Sequence, residues 1–259
     1  MKRWSDTLVP ALLGAALLLG WEAATRAWGL SALVLPAPSR IGQSLLQGFA
    51  TGYWWPHIGQ TVLGVALGLA AGSALGFGSG LLLGTHPRLR RWLTPYLVVS
   101  QLTPKLALAP LFILWFGFGM LPTVVMTALI CFFPLLENTL AALEDTEPDQ
   151  LELLRALGAS RWQTLWRLQV PAGRLTLAAG LRTALVLAWV GTVVSEFINA
   201  SRGLGAVIIG AQGAMDTALL FAALALIAGL GVASYGLLRA LESRFLTFHP
   251  RPLSLETLP

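Results

Sequence analysis

The sequence predicts an all-α polytopic membrane protein with six transmembrane helices. Three observations carry this. Hydrophobic residues make up 56% of the 259 residues and charged residues only 11%; a soluble domain carries about 25% charge, so 29 charged side chains cannot cover a water-facing surface of this size. Mean hydropathy is +0.71. The apolar residues fall into six long runs, without the two-residue alternation of barrel strands. These observations exclude a soluble enzyme, a disordered chain and a nucleic-acid binder, despite a pI near 10.1. The net charge of +5 belongs to membrane topology. The single cysteine, Cys131, excludes an internal disulfide.

The runs cover approximately 8–27, 58–84, 93–116, 121–142, 173–198 and 217–238. Each approaches or exceeds the roughly 20 residues that cross ~30 Å of hydrocarbon. The first follows Lys2 and Arg3, which also suits a signal peptide with Ala23-Ala24 as its small-residue site. In a retained helix, Glu22 and Arg26 lie four apart and can pair at its outer end. Residues 31–57 form an external connection. Leu35-Pro36-Ala37-Pro38 makes a stiff turn, and Ser39 can cap a short helix lying along the surface. Tyr53, Trp54 and Trp55 suit the headgroup layer.

In the second span Gly64, Gly68, Gly72, Gly76, Gly80 and Gly84 recur every four residues. Small residues at that spacing let helix backbones approach closely. Dense packing within one subunit is the plainer explanation; a subunit contact or a sliding helix is the sharper one. The third span contains Pro95, Pro104 and Pro110, each of which removes a donor and kinks a helix. Carbonyls freed at membrane depth must be buried in protein or line a wet cavity. Lys105 follows Pro104, and a buried ammonium is costly enough to face a partner or a pathway. Glu137, Arg182 and Glu196 are the other intramembrane charges, open to structural pairing or to a wet interface. Gln101, Thr103, Lys105, Glu137 and Glu196 are the candidate lining of a translocation path.

Basic residues predict the orientation. With the N-terminus in the cytoplasm, Lys2, Arg3, Arg88, Arg90, Arg91, Arg155, Arg161, Arg167, Arg174, Arg239, Arg244 and Arg251 lie inside. Arg26, Arg40 and Arg202 lie outside, while Lys105 and Arg182 fall in spans. Twelve of 17 on one side is the expected inside bias. Both termini are then cytoplasmic.

Several chemistries are excluded. Lys2 and Lys105 are the only lysines, and neither follows a Gly-x-x-x-x-Gly sequence, so the chain has no P-loop of its own. Ser79 in Gly78-Ser79-Gly80 lacks a base, because His57, His86 and His249 lie outside the spans. Scattered histidines and one cysteine make no metal site. No catalytic, cofactor or metal residue is expected in this chain.

The segment 144–174 concentrates nine of the 29 charges. Pro148 suits the first turn of a helix, with acids favoured near its N-terminus. That helix should run to about Leu157 and end at Gly158 as a C-cap. A second amphipathic helix, from Ser160 to Val170, places Trp162, Leu165, Trp166 and Gln169 at helical spacing, and Pro171 stops it. Two short helices at a glycine hinge form a projecting lever, or else an amphipathic hairpin lying on the surface.

Glu152-Leu153-Leu154, three residues, Gly158, nine residues, then Leu168-Gln169-Val170-Pro171 resembles the cytoplasmic loop of ABC importer permease subunits. There the pattern is Glu-Ala-Ala, three residues, Gly, nine residues, Ile-x-Leu-Pro; Leu-Leu replaces Ala-Ala here. The stretch LALAPLFILWFGFG (106–119), Phe132-Phe133-Pro134, Asn138-Thr139, Leu157 to Trp162, Glu196, Gly203-Leu204-Gly205, Asp216-Thr217 and Phe221-Ala222 are similar to the nitrate/sulfonate/taurine branch. Thr103-Pro104-Lys105 and Val194-Ser195-Glu196-Phe197 lean toward its pyrimidine-precursor and riboflavin-like members. The likeness covers about 55 to 245.

This resemblance implies a type I importer permease in the bacterial cytoplasmic (inner) membrane, working as a homodimer. It implies an ABC ATPase partner that binds ATP and Mg, and a periplasmic or lipid-anchored solute-binding protein that delivers a small anionic or heteroaromatic solute. Glu152, Arg155, Leu157, Gly158, Ala159 and Pro171 would couple to the ATPase, and Gly64, Gly68, Gly72, Gly76 and Gly80 would pack helices. The chain divides into 1–57 (first helix and external connection), 58–245 (permease core with coupling loop 143–172) and 246–259 (cytoplasmic tail). An ion-coupled secondary transporter, with Lys105, Glu137 and Glu196 as relay charges, and a non-transporting scaffold are the alternatives.

Overall fold

The computed structural model describes residues 2–29, 31, 33–199 and 201–245. The tail 246–259 with Arg251, and the side chains of Lys2 and Arg3, lie outside the described residues. Among those described there are helices and turns but no strands.

The first helix, α1, is Lys2–Ala27. Its Val9, Leu12, Leu13, Leu17, Leu18 and Leu19 are all exposed. Near its end Glu22 pairs with Arg26 (Nε to Oε1, 2.7 Å), as the four-residue spacing suggests. Glu22 does more: it accepts from the Ser39 N–H (3.0 Å) and Ser39 Oγ (2.8 Å). Ser39 is therefore not the cap of the external helix. That helix, α2, is Pro38–Ala50 and begins with proline at its first turn, preceded by Ala37 with no side-chain cap. The carboxylate of α1 satisfies the orphan donor instead. Nor does α2 merely lie on a surface: Ile41 and Gly48 are buried, and Ile41 joins a core cluster with Trp54, Leu204, Val207, Ile208, Ala222 and Ala223.

Helix α3, Trp54–Thr85, is the first long span of the core. Trp54 does not sit among headgroups. It is completely buried, donates its indole N–H to Leu45 O (3.1 Å), and occupies the space that a side chain at Gly48 would fill. Trp55 and Tyr53 are exposed.

The third span is not one kinked helix. Helix α4, Pro87–Leu102, contains Pro95; a 3-10 turn, Lys105–Leu108, and helix α5, Ala109–Phe116, follow. The two parts are bent by 81°. Thr103 is extended (φ −70°, ψ 127°), the conformation that a following proline imposes. Pro104 thus ends α4, while Pro110 lies in the first turn of α5, where a missing N–H costs nothing.

Helix α6, Met120–Glu144, runs through the centre, with α3 on one side and α10, Arg174–Asn199, on the other. The glycine ladder of α3 lies against α6. A Cβ at Gly68 would strike Thr127, at Gly72 the Ala128 carbonyl, at Gly76 the Phe132 carbonyl, and at Gly80 Thr139; Gly64 faces Thr192 and Thr123. The ladder therefore packs helices inside one subunit. A repeat of four exceeds the 3.6-residue turn, so a helix that stays on it must wind with right-handed sense. Across the same core, Thr127 Oγ1 and Thr192 Oγ1 share a hydrogen bond (2.9 Å), and Cys131 Sγ donates to Ala184 O (3.2 Å).

Between α6 and α10 lie the short helices α7 (Pro148–Ala156), α8 (Arg161–Thr164) and α9 (Val170–Ala172). After α10 comes an apolar helix, α11 (Leu204–Gly213), too short to span. Helix α12, Thr217–Phe245, packs on α2 and α11 and is tied to α10 by Trp189 Nε1 donating to Ser234 Oγ (2.9 Å). Among the described residues α3, α6, α10 and α12 are long and apolar enough to cross a membrane, and the bent α4–α5 pair has the composition of a broken span or a re-entrant loop.

Candidate functional site: coupling loop and polar face

The loop helix α7 has no buried residue. Its C-terminus closes in a Schellman arrangement: Gly158 N–H donates to Arg155 O, and Ala159 N–H to Leu154 O, both at 3.0 Å. Gly158 holds φ +74°, where a Cβ is disfavoured. Two residues on, Ser160 and Gln163 form a reciprocal capping box (Ser160 N–H to Oε1 2.7 Å, Gln163 N–H to Oγ 3.3 Å). Both sides of the hinge are thus fixed by local hydrogen bonds.

The loop is anchored to the core at its second half. Leu165 is 1% exposed, Gln169 Nε2 donates to Leu143 O at the end of α6 (3.2 Å), and Trp166 meets Phe77 of α3 edge-on (6.4 Å). Pro171 does not stop the chain here. Leu165–Gln169 forms a π turn, in which Val170 N–H reaches back to Leu165 O, and the helix continues through Pro171 to Ala172. The wider turn relieves the clash of the proline ring with the carbonyl four residues back. Gly173 ends this segment; a Cβ there would strike Ala142.

Glu152, Arg155, Leu157 and Gly158 are exposed and Ala159 is half-buried. Arg155 and Ala159 line a cavity of about 440 Å³ beneath the loop, whose far wall is Gly84, Thr85 and Pro87. Leu153, Leu157 and Trp162 stand 60%, 72% and 70% exposed. Apolar side chains this exposed on an anchored segment mark a surface that meets a protein or a membrane.

A second polar constellation joins α4 to α6. Arg90 pairs with Glu144 (2.5 Å), Gln101 donates to Glu137, and Lys105 Nζ stands 4.5 Å from the centre of the Phe133 ring. Phe133, Glu137 and Glu144 share one face of α6 by their spacing of four and seven. Helix α4 has no buried residue, so side chains across a groove carry much of this contact. Thr103 is near the same place; its Oγ1 donates to Val99 O (3.0 Å).

Glu196 lies elsewhere. It is 2% exposed, among α3, α10 and α11. Thr61 Oγ1 donates to its two carboxylate oxygens (2.9 and 3.0 Å), and Gly205 N–H donates to Oε2 (2.8 Å). Leu204 N–H donates to Thr61 Oγ1 (2.8 Å). The carboxylate therefore caps the start of α11 from the preceding helix. Gly203, at φ +125°, leaves the space that this carboxylate fills. Arg182, for its part, faces Glu242 of α12 at 3.7 Å. So the structure pairs Gln101 with Glu137, sets Thr103 and Lys105 on a neighbouring but separate cavity, and holds Glu196 and Arg182 apart from both.

The profile of the binding-protein-dependent transport system inner membrane components matches residues 64–247. The chain belongs to this family. This permease is 39% identical over 227 residues to the riboflavin transport system permease of Chloroflexus aurantiacus, covering 87% of this chain and 84% of that one. It is 33% identical over 251 residues to the formylaminopyrimidine transport permease of Halalkalibacterium halodurans, covering 97% and 100%. The taurine transport system permease of Escherichia coli is 31% identical over 248 residues, covering 94% and 90%. The permease is the membrane subunit of an ABC transporter and is not itself an enzyme. Its family works with an ATPase and a solute-binding protein in the inner membrane, which sets aside the ion-coupled and scaffold alternatives.

Proposed function

We propose that the permease couples to its ATPase through α7, with Glu152, Arg155, Leu157, Gly158 and Ala159 meeting the partner and Pro171 holding the return to α10. The observation that carries this is a nine-residue helix with no buried residue, locked at Gly158 and rooted through Trp166 on α3 and Gln169 on α6. A lever fixed at its root transmits motion of its tip to the helices below. ATP and Mg belong to the partner, and closure of two ATPase subunits draws two such levers together, one from each of two copies of this chain. The path runs along the α4–α6 face with Gln101, Thr103, Lys105 and Glu137, and carries a small anionic or heteroaromatic solute. The relatives named for riboflavin, formylaminopyrimidine and taurine are consistent with that range.

Helix α1 serves as a sixth span, and residues 1–57, 58–245 and 246–259 divide the chain. The end of the molecule that bears the loop faces the cytoplasm. Arg88, Arg90, Arg91, Arg155, Arg161, Arg167 and Arg174 gather there, as inside loops do, and both termini share that side. Gly158→Trp in the transporter reconstituted with its ATPase and binding protein tests the lever. Uptake is expected to fall at least about tenfold while ATP hydrolysis persists, because a side chain at φ +74° redirects the hinge. Unchanged uptake refutes the assignment.

A further inference from the structure

Lys105 is a cation without a carboxylate. Among the described residues the ion pairs are Arg26–Glu22, Arg90–Glu144 and Arg182–Glu242, and Lys105 is in none. Glu137, one turn along α6 from the ring that Lys105 covers, already accepts from Gln101. Lys105 opens the short turn at the 81° bend, inside the broken span. Its cation-specific contact among the described residues is the Phe133 ring face, 4.5 Å away, worth at most about 2 kcal/mol; the side chain is only half-buried, and an ammonium at membrane depth costs about 2.5 kcal/mol or more unless it faces a partner or water. Such a group persists where it faces a cavity that admits water or an anion.

That cavity exists. A space of about 470 Å³ opens beside Lys105, in the range of small-molecule pockets. Tyr96, Ser100 and Thr103, which carry hydroxyls, line it together with Val99, Leu108 and Leu129, and its surface is mostly apolar. Thr103 has already given its proton to Val99 O, so the free donors are the ammonium and the Ser100 and Tyr96 hydroxyls. Donors grouped against an apolar wall suit a compact oxyanion on a ring-sized apolar body. Resting on the path proposed above, we infer that the Lys105 cavity is an anion subsite, taking the carboxylate or sulfonate of a solute with a flat apolar body.

The sequence supplies a clean probe, because Lys2 is the only other lysine. In a Lys2→Arg chain, reductive methylation with ¹³C-formaldehyde leaves Lys105 as the single labelled side chain, resolved by NMR from the terminal amine. In nanodiscs of phosphatidylcholine alone, benzenesulfonate is expected to move that signal saturably, and benzenesulfonamide, the uncharged counterpart, to leave it in place. Leu129→Trp, which fills the cavity, should weaken the response about tenfold, the scale of one lost charge-assisted contact. No shift with either compound, or equal shifts with both, overturns the subsite. So does a shift that appears only when phosphatidylglycerol is added, which makes the occupant a lipid headgroup.

A second measurement separates this result from the path. In the complete transporter carrying Cys131→Ser and Thr103→Cys, labelling by an impermeant maleimide should change when ATP is added. ATP-dependent labelling without the benzenesulfonate response removes the subsite and leaves the path. Labelling indifferent to ATP removes the path itself, and the subsite with it.

Discussion

Replacing Glu196 by alanine removes the acceptor used by Gly205 N–H at 2.8 Å and by Thr61 Oγ1, at a position only 2% exposed. The Gly205 N–H is then orphaned, at a cost of about 1–3 kcal/mol, and truncation leaves a hole besides. Together these amount to about 2–4 kcal/mol. Glutamine should cost under about 1 kcal/mol. Its amide oxygen keeps Gly205, while Thr61 can accept from the amide and turn its own proton to His57 O, 3.2 Å away. Gly203→Ala has two costs: a backbone at φ +125°, worth about 1–3 kcal/mol for a non-glycine residue, and a collision with the Glu196 carboxyl group. In the E196A background the collision vanishes and only the backbone cost remains. The double variant should be more stable than the sum of the singles by about 1–2 kcal/mol. Equilibrium unfolding in mixed dodecyl maltoside and dodecyl sulfate micelles, followed by tryptophan fluorescence, measures all four chains. Strict additivity, or E196Q as damaging as E196A, would refute the capping argument.

Other outcomes follow from packing. Gly72→Ala should destabilise by about 1–3 kcal/mol in the same assay, because its Cβ meets the Ala128 carbonyl. Gly78→Ala has open space around it and should be neutral or stabilising by up to about 1 kcal/mol; equal losses at both sites would contradict the packed ladder. Trp54→Phe should cost about 1 kcal/mol for the bond to Leu45 O, and Trp54→Ala about 3–5 kcal/mol, read as a loss of the folded fraction on heating.

Periodicity made the spans visible. The runs 58–84, 121–142 and 173–198 correspond to Trp54–Thr85, Met120–Glu144 and Arg174–Asn199, because twenty apolar residues in a row have few other solutions. Turn chemistry was equally legible at Gly158 and Ser160, where the residues that bond are neighbours in the chain. Helix α11 was harder to see. Its apolar run after Gly203 is too short to register as a span, and the carboxylate that caps it comes from the helix before. Ser39 misled for the same reason: its type suits a cap, but the partner that decides its role is Glu22, 17 residues away.

The sequence by itself determined that this protein lives in a membrane, where its long helices lie, and that a glycine-hinged charged loop separates two of them. These follow from local composition and from hydrogen bonds spanning a few residues. Only the tertiary structure decided that the third span breaks by 81°, that Trp54 is buried, and that the glycine ladder closes on α6. It also decided that Glu196 caps a helix while Lys105 is left without a carboxylate. Each of these depends on which group arrives from a distant part of the chain. A polar or aromatic side chain carries its chemistry in its type, but the partner that satisfies it, or fails to, is set by packing.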